Sequence, residues 1–221
     1  MIAALAAAVV GAAPLAPDAV VARYRAALAT LAEPRTFSVE YTMVQTGTRT
    51  LEQTHRIFRR GGDERDETLA VNGTRSTVPV IRIFHGRPYR YRVAALAPRP
   101  DAYAFAYAGP HRDGHHLDYV FRLTPKSPSR GFRVMQVTID GLTFLPDAIA
   151  FTTAEHGGRG TVTFRKADRW WVASGASATA RLAGGLAHEQ IAFSRWRFPA
   201  SLPSSTFALP RPLATAAPEL P

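Results

Sequence analysis

The sequence predicts a mainly β fold built on an antiparallel sheet, with a single N-terminal helix. Three observations lead there. Only one stretch repeats its apolar residues at helical spacing, nearly everything after Pro34 alternates with period two, and the turns between strands are too short for crossover helices.

The helix is "DAVVARYRAALATLAEP", with Asp18 placed to cap its start and Pro34 to end it. Val20, Val21, Tyr24, Leu28 and Leu31 fall on one face, with Arg23 and Arg25 opposite. Strands follow in series. "FSVEYTM" sets Phe37, Val39 and Tyr41 against Ser38, Glu40 and Thr42. "THRIFRR" offers Ile57, and Asn72-Gly73 suits a tight hairpin turn. "VIRIFHG" is expected to turn Ile81 and Ile83 inward, and "PYRYRV" to set Tyr89 and Tyr91 against Arg90 and Arg92. Phe105, Phe121, Phe132, Phe151, Phe164 and Phe193 mark the inward faces of later strands. In "DRWWVAS", adjacent tryptophans must point to opposite faces, and alternation does not say whether Trp170 or Trp171 is the inward one. Trp196, beside Arg195 and Arg197, is expected to stack on a guanidinium.

That count creates a covering problem. About ten strands spaced ~4.8 Å apart make a sheet roughly 48 Å wide. A helix of about 15 residues is only roughly 22 Å long. The sheet must fold as a sandwich, close as a barrel, or curl around a space. Its other face carries Arg56, Arg82, Arg90, Arg92, Arg122, Arg133 and Arg165, so the apolar face points inward and a lipid-facing membrane barrel is excluded. Patterning leaves open whether that interior is a packed core or a lipophilic cavity.

The 221 residues suit one domain, and no linker or internal repeat divides them. Residues 1–17 read as a signal peptide whose apolar run is too short to span a bilayer, 18–210 as the domain, and 211–221 as a Pro-rich tail. Without cysteine, disulfides, thiolate metal sites and Cys nucleophiles are excluded. The net charge of +10 comes almost wholly from arginine, with lysine only at Lys126 and Lys166. The arginines are scattered and not grouped into one basic run, which suits a compositional bias of the source; an anionic membrane surface is a possible partner and nucleic acid is not expected.

The order "RYRAALATL", "FSVEYTM", "RIFRRGGDERDE", "IFHGRPYRYRV", "VTIDGLTFLPDAIAF", "GTVTFRKA" and "FSRWRFPASLPSSTFAL" resembles the LolA/LolB-like periplasmic lipoprotein-carrier superfamily across residues 18–209. The resemblance implies an incomplete antiparallel barrel. Its concave apolar face would be lidded in part by the N-terminal helix, and would hold acyl chains of a lipid or lipidated protein. It also implies periplasmic export, no enzymatic activity, no cofactor, a membrane-bound acceptor, and an arginine that holds the lid shut, here Arg65 by position. On that reading Tyr24, Leu28, Phe37, Val39, Tyr41, Ile57, Ile83, Tyr89, Tyr91, Phe105, Phe121, Phe132, Phe151, Phe164, Trp171 and Phe193 line the cavity. "ATARLAGGL" (178–186) is a weak second lid helix, and "ETLAVNGTRSTVPV" has no place in the pattern.

Other chemistry finds little support. "HRDGHH" (His111, Asp113, His115, His116) is rich in ligand types but sits where a hairpin turn belongs. "HEQIA" has Ala192 where a zinc-protease helix needs its second histidine. There is no Gly-x-Ser-x-Gly elbow. Glu40 and Asp118 read as exposed carboxylates. Two alternatives stand beside the carrier: a module with a filled core that binds a protein or envelope polymer, and a metal-dependent enzyme.

Overall fold

The computed structural model describes residues 14–113, 116–128, 131–154, 157–182 and 184–209. A helix, α1 (Pro17–Thr30), leads into β1 (Thr36–Thr46), β2 (Leu51–Arg60), β3 (Asp63–Val71) and β4 (Thr74–Phe84). After a connection carrying the one-turn α2 (Val93–Leu96) come β5 (Tyr103–Asp113), β6 (His116–Pro125), β7 (Arg133–Asp140) and β8 (Pro146–Thr152). The last strands are β9 (Arg159–Ala167), β10 (Trp170–Leu182) and β11 (Gly185–Arg197), followed by a 3-10 turn at Ser204–Phe207.

All eleven strands form one antiparallel sheet in the order β4-β3-β2-β1-β11-β10-β9-β8-β7-β6-β5. Each strand pairs with its chain neighbour except β4 with β5. The first and last strands pair instead, and the break falls between β4 and β5. At ~4.8 Å per strand a flat sheet of this size is about 50 Å wide. Yet Phe37 of β1, Phe121 of β6 and Phe164 of β9 belong to one contiguous buried cluster. The sheet is therefore curled into an incomplete barrel, as expected.

α1 is too short to cover the concave side. The remainder is covered by the β4–β5 connection, residues 85–102, which lies across the opening as a strap. Tyr24 of α1 donates its hydroxyl to the Pro98 carbonyl of the strap at 2.9 Å, which joins the two covers. Pro17 occupies the first helical turn, and Asp18 sits in that turn instead of capping it.

Several expectations are corrected. "PYRYRV" is not a strand: Gly86, at φ 67°, and Pro88 interrupt β pairing, and the segment becomes the strap. "ATARLAGGL" is not a helix but the β10–β11 hairpin. "ETLAVNGTRSTVPV" is the β3–β4 hairpin, with Asn72 and Gly73 at φ 48° and 75° as its turn. Ile81 and Ile83 pair with Glu67 and Arg65 on the convex face, while Arg82 and Phe84 share the concave side with Asp66 and Glu64. "VIRIF" is apolar on both faces apart from Arg82, so periodicity could not fix its side. Asp118 is buried, and Glu40 is held by Arg56 and Arg195.

Residues 204–208 pack on the convex face. Phe207 is buried beneath the Arg60 guanidinium, 4.8 Å from its ring. Residues 1–13 and 210–221, which contain nearly all of the leader and the tail, lie outside the described residues. Among the described residues no helix is long and apolar enough to cross a membrane.

Candidate functional site

The concave face has two unlike halves. Over β5–β9, α1 inserts Val20 and Tyr24, both fully buried, and the Tyr24 ring packs 5.8 Å from Phe105. Phe105 in turn lies 5.8 Å from Phe121, edge-on. Burial pushes the Tyr24 hydroxyl far above the usual tyrosine range. Leu28 packs against the same cluster. Side chains pack closely through this half, and the clefts beside α1 are smaller, about 280 and 370 Å³.

Over β1, β2, β10 and β11 the strap stands off the sheet. It sends Tyr89 onto Phe37 (5.1 Å, edge-on) and Tyr91 onto Phe193 (4.9 Å, edge-on). Between strap and sheet lies an open cleft of about 710 Å³. Phe37, Tyr89, Tyr91, Trp171 and Trp196 supply its aromatic wall. Arg35, Arg59, Arg87 and Arg92 stand around it. Of the tryptophan pair it is Trp171 that turns inward, donating Nε1 to the Pro146 carbonyl at 2.7 Å. Trp170 points the other way, covered by Phe198 and by the Arg169 guanidinium 4.7 Å from its ring. Trp196 stacks on Phe198 (5.9 Å, 10°) rather than on a guanidinium, because a bulge at Arg195 (φ 51°) rotates it inward.

Beside the cleft runs a polar strip that the sequence reading missed. β2 presents His55, Ile57 and Arg59 to the concave side, opposite Tyr41, Val39 and Phe37. His55 Nδ1 lies 2.8 Å from Asp66 Oδ1, and its ring stacks on Tyr41 at 4.7 Å, nearly parallel. Arg59 is 5% exposed. It donates to Glu64 Oε2 at 2.6 Å and to the Arg87 carbonyl of the strap, and its guanidinium lies 5.5 Å from the Tyr89 ring. The Tyr89 hydroxyl and Trp196 Nε1 are buried without a hydrogen-bond partner among the described residues. Burial, with Tyr91 and Glu64 nearby, raises the Tyr89 hydroxyl well above its ordinary value.

Of the expected lining residues, Tyr24, Phe37, Val39, Ile57, Tyr89, Phe121, Phe164 and Phe193 are buried in the common cluster. Leu28, Tyr41, Tyr91, Phe105, Phe151 and Trp171 pack partly buried against it. Two are not brought there: Ile83 sits on the convex face, and Phe132 is largely exposed, its ring 4.9 Å from Phe151. Arg65 is also on the convex face. It donates to the Thr206 and Ala208 carbonyls and to Glu67, tying down the C-terminal segment. The β2 arginine that bonds to the strap is Arg59. The signal for it was present, since Ile57, correctly read as inward, shares its face with residues two places either side.

β5 ends at Asp113 and β6 begins at His116, so "HRDGHH" joins two paired strands. Residues 114–115, with His115, lie outside the described residues. Among the described residues no three His, Asp or Glu side chains are grouped to hold a metal.

No protein-family model matches the chain, and no curated protein matches it. Among solved structures it is similar to a LolA superfamily protein from Nitrosomonas europaea, at 12% identity and TM-score 0.47 over 89% of this chain and 99% of that one. It is also similar to a DUF1329 family protein from Desulfovibrio piger (11%, TM-score 0.48, 86% and 96%). A third is an outer membrane lipoprotein-sorting protein domain from Vibrio parahaemolyticus (14%, TM-score 0.46, 85% and 95%). At these identities the likeness is one of fold alone.

Proposed function

We propose that the protein is an exported, non-enzymatic carrier or sensor that holds an acyl chain of a lipid or lipidated protein between strap and sheet. The observation that carries this reading is the aromatic cleft of about 710 Å³, within the roughly 300–1,000 Å³ typical of small-molecule sites. Five aromatic side chains line it, while α1 packs closely into the other half of the trough. Each methylene buried there contributes about 0.8 kcal/mol, so a long chain binds without a dense set of polar contacts. The strap is the moving cover, and Arg59, bonded to its Arg87 carbonyl, is one of the groups that keep it down, beside Tyr24 and Glu33.

The setting supports delivery at a membrane. Arg35, Arg87 and Arg92 stand around the cleft and give its mouth a basic character suited to anionic lipid. The apolar leader and the family resemblance support a periplasmic location.

The full chain, purified without detergent, is to be studied by native mass spectrometry and by titration with a fluorescent fatty acid. Co-purified lipid, or saturable uptake that Trp171→Ala weakens, is the expected result. A protein that carries no lipid and takes up no fatty acid is not a carrier.

A further inference from the structure

On the carrier reading, the cleft has more to say about its guest than that it is apolar. Four arginines line it, against one carboxylate, Glu33, with Glu64 behind. Arg92 is matched by Glu33 at 2.6 Å, and Arg59 by Glu64 at 2.6 Å. Arg87 reaches Glu64 only at 3.8 Å and lies over the Phe84 ring. Arg35, exposed at the start of β1, has no carboxylate partner among the described residues. Four guanidiniums against two carboxylates, Glu33 and Glu64, leave a surplus of two positive charges around an aromatic cleft, with Arg35 unpaired and Arg87 only loosely paired.

Size gives the second constraint. At about 30 Å³ per water-sized group, the cleft holds on the order of 20 non-hydrogen atoms. That is one long chain and a compact head. A lipid moiety of two or three chains does not fit the void as it stands.

We propose that the cleft is a site for a single-chain anionic amphiphile, its hydrocarbon tail against Phe37, Trp171 and Trp196 and its carboxylate or phosphate head at Arg35 and Arg87. This inference rests on the carrier reading and sharpens it. A guanidinium offers an oxyanion paired, charge-assisted hydrogen bonds, which neither an alcohol nor a zwitterion with an outer cation matches.

The test is displacement of a fluorescent fatty acid from the delipidated full chain by four ligands of equal chain length: palmitate, hexadecanol, palmitoyl-lysophosphatidylglycerol and palmitoyl-lysophosphatidylcholine. Palmitate and the lysophosphatidylglycerol are expected to compete at least roughly tenfold better than hexadecanol and the lysophosphatidylcholine. Comparing the two charged ligands separates a carboxylate head from a lipid phosphate. Arg35→Ala combined with Arg87→Ala is expected to bring the charged ligands down to the level of hexadecanol, and Arg35→Lys to retain most of the preference. If all four compete equally, the headgroup site is refuted and the carrier stands. If none competes and the probe itself does not bind, the carrier reading falls as well.

Discussion

Replacing Arg59 with methionine tests how the strap is held. Met matches much of the aliphatic stem and removes only the guanidinium. Glu64, 7% exposed, then loses its 2.6 Å partner, and the Arg87 carbonyl loses its donor. Breaking a buried ion pair by removing one member costs about 3–5 kcal/mol, because the remaining charge stays buried. Domain stabilities are about 5–15 kcal/mol, so the loss is a large share. In a chain of this length it lowers Tm by roughly 6–20 °C. Urea unfolding followed by tryptophan fluorescence gives the free energy directly. Hydrogen exchange of residues 85–96 shows whether the strap loosens before the sheet. Arg59→Met/Glu64→Met removes both charges and is expected to regain most of the loss. A single variant within 1 kcal/mol of the parent and with an unchanged strap would falsify the role assigned to Arg59.

Tyr89→Phe deletes a hydroxyl that has no partner, so stability is expected to hold or rise by about 1 kcal/mol, whereas Tyr24→Phe, which loses the bond to Pro98, is expected to cost about 1–2 kcal/mol in the same assay. A destabilised Tyr89→Phe refutes the reading that its hydroxyl is orphaned. At Glu40, partial burial works to raise the pKa, but hydrogen bonds and charge from Arg56 and Arg195 outweigh it and hold the carboxyl below the usual range. A depressed native pKa adds stability above the unfolded value of about 4.3, and that stability is lost as pH falls through the native one. The stability difference between the parent and Glu40→Gln, about 1 kcal/mol at neutral pH, is therefore expected to vanish on acidification, and a pH-independent difference contradicts it. Gly160→Ala aims a Cβ at the Ser177 carbonyl and the Phe151 ring, so it is expected to destabilise by about 1–3 kcal/mol; a neutral result in urea unfolding means that β8–β10 yields there.

How much of this was legible depended on whether a segment's two faces differed. In "FSVEYTM" and "GTVTFRKA" the apolar residues occupy one parity, and Phe37, Val39 and Phe164 are buried where alternation puts them. "VIRIF" is apolar on both parities, and its side was settled by what no periodicity carries: the register with β3 and the docking of residues 202–208 over Arg60 and Arg65. "PYRYRV" has the alternation of a strand, yet it begins beyond Gly86 at the break in the barrel, where no strand remains to pair with it. Its tyrosines still reach the concave side, so the side-chain expectation survived the loss of the element that suggested it.

The polar strip shows the opposite failure, in which the pattern was right and the chemistry was assumed. Alternation placed Ile57 inward, and the same rule places His55 and Arg59 beside it. The assumption that an inward face is apolar hid them. The structure makes the charge tolerable by local means: Glu64 and Asp66 sit on the neighbouring strand, and the strap's Arg87 carbonyl takes what Glu64 leaves of the Arg59 guanidinium. A cover made wholly of apolar contacts would slide over an apolar trough in many near-equal positions. The buried Arg59 guanidinium on the Arg87 carbonyl is one of several polar ties that give the strap a single position, with Tyr24 on the Pro98 carbonyl, the Arg87 N–H on the Gly62 carbonyl, and Glu33 on Arg92 and the Ala94 N–H.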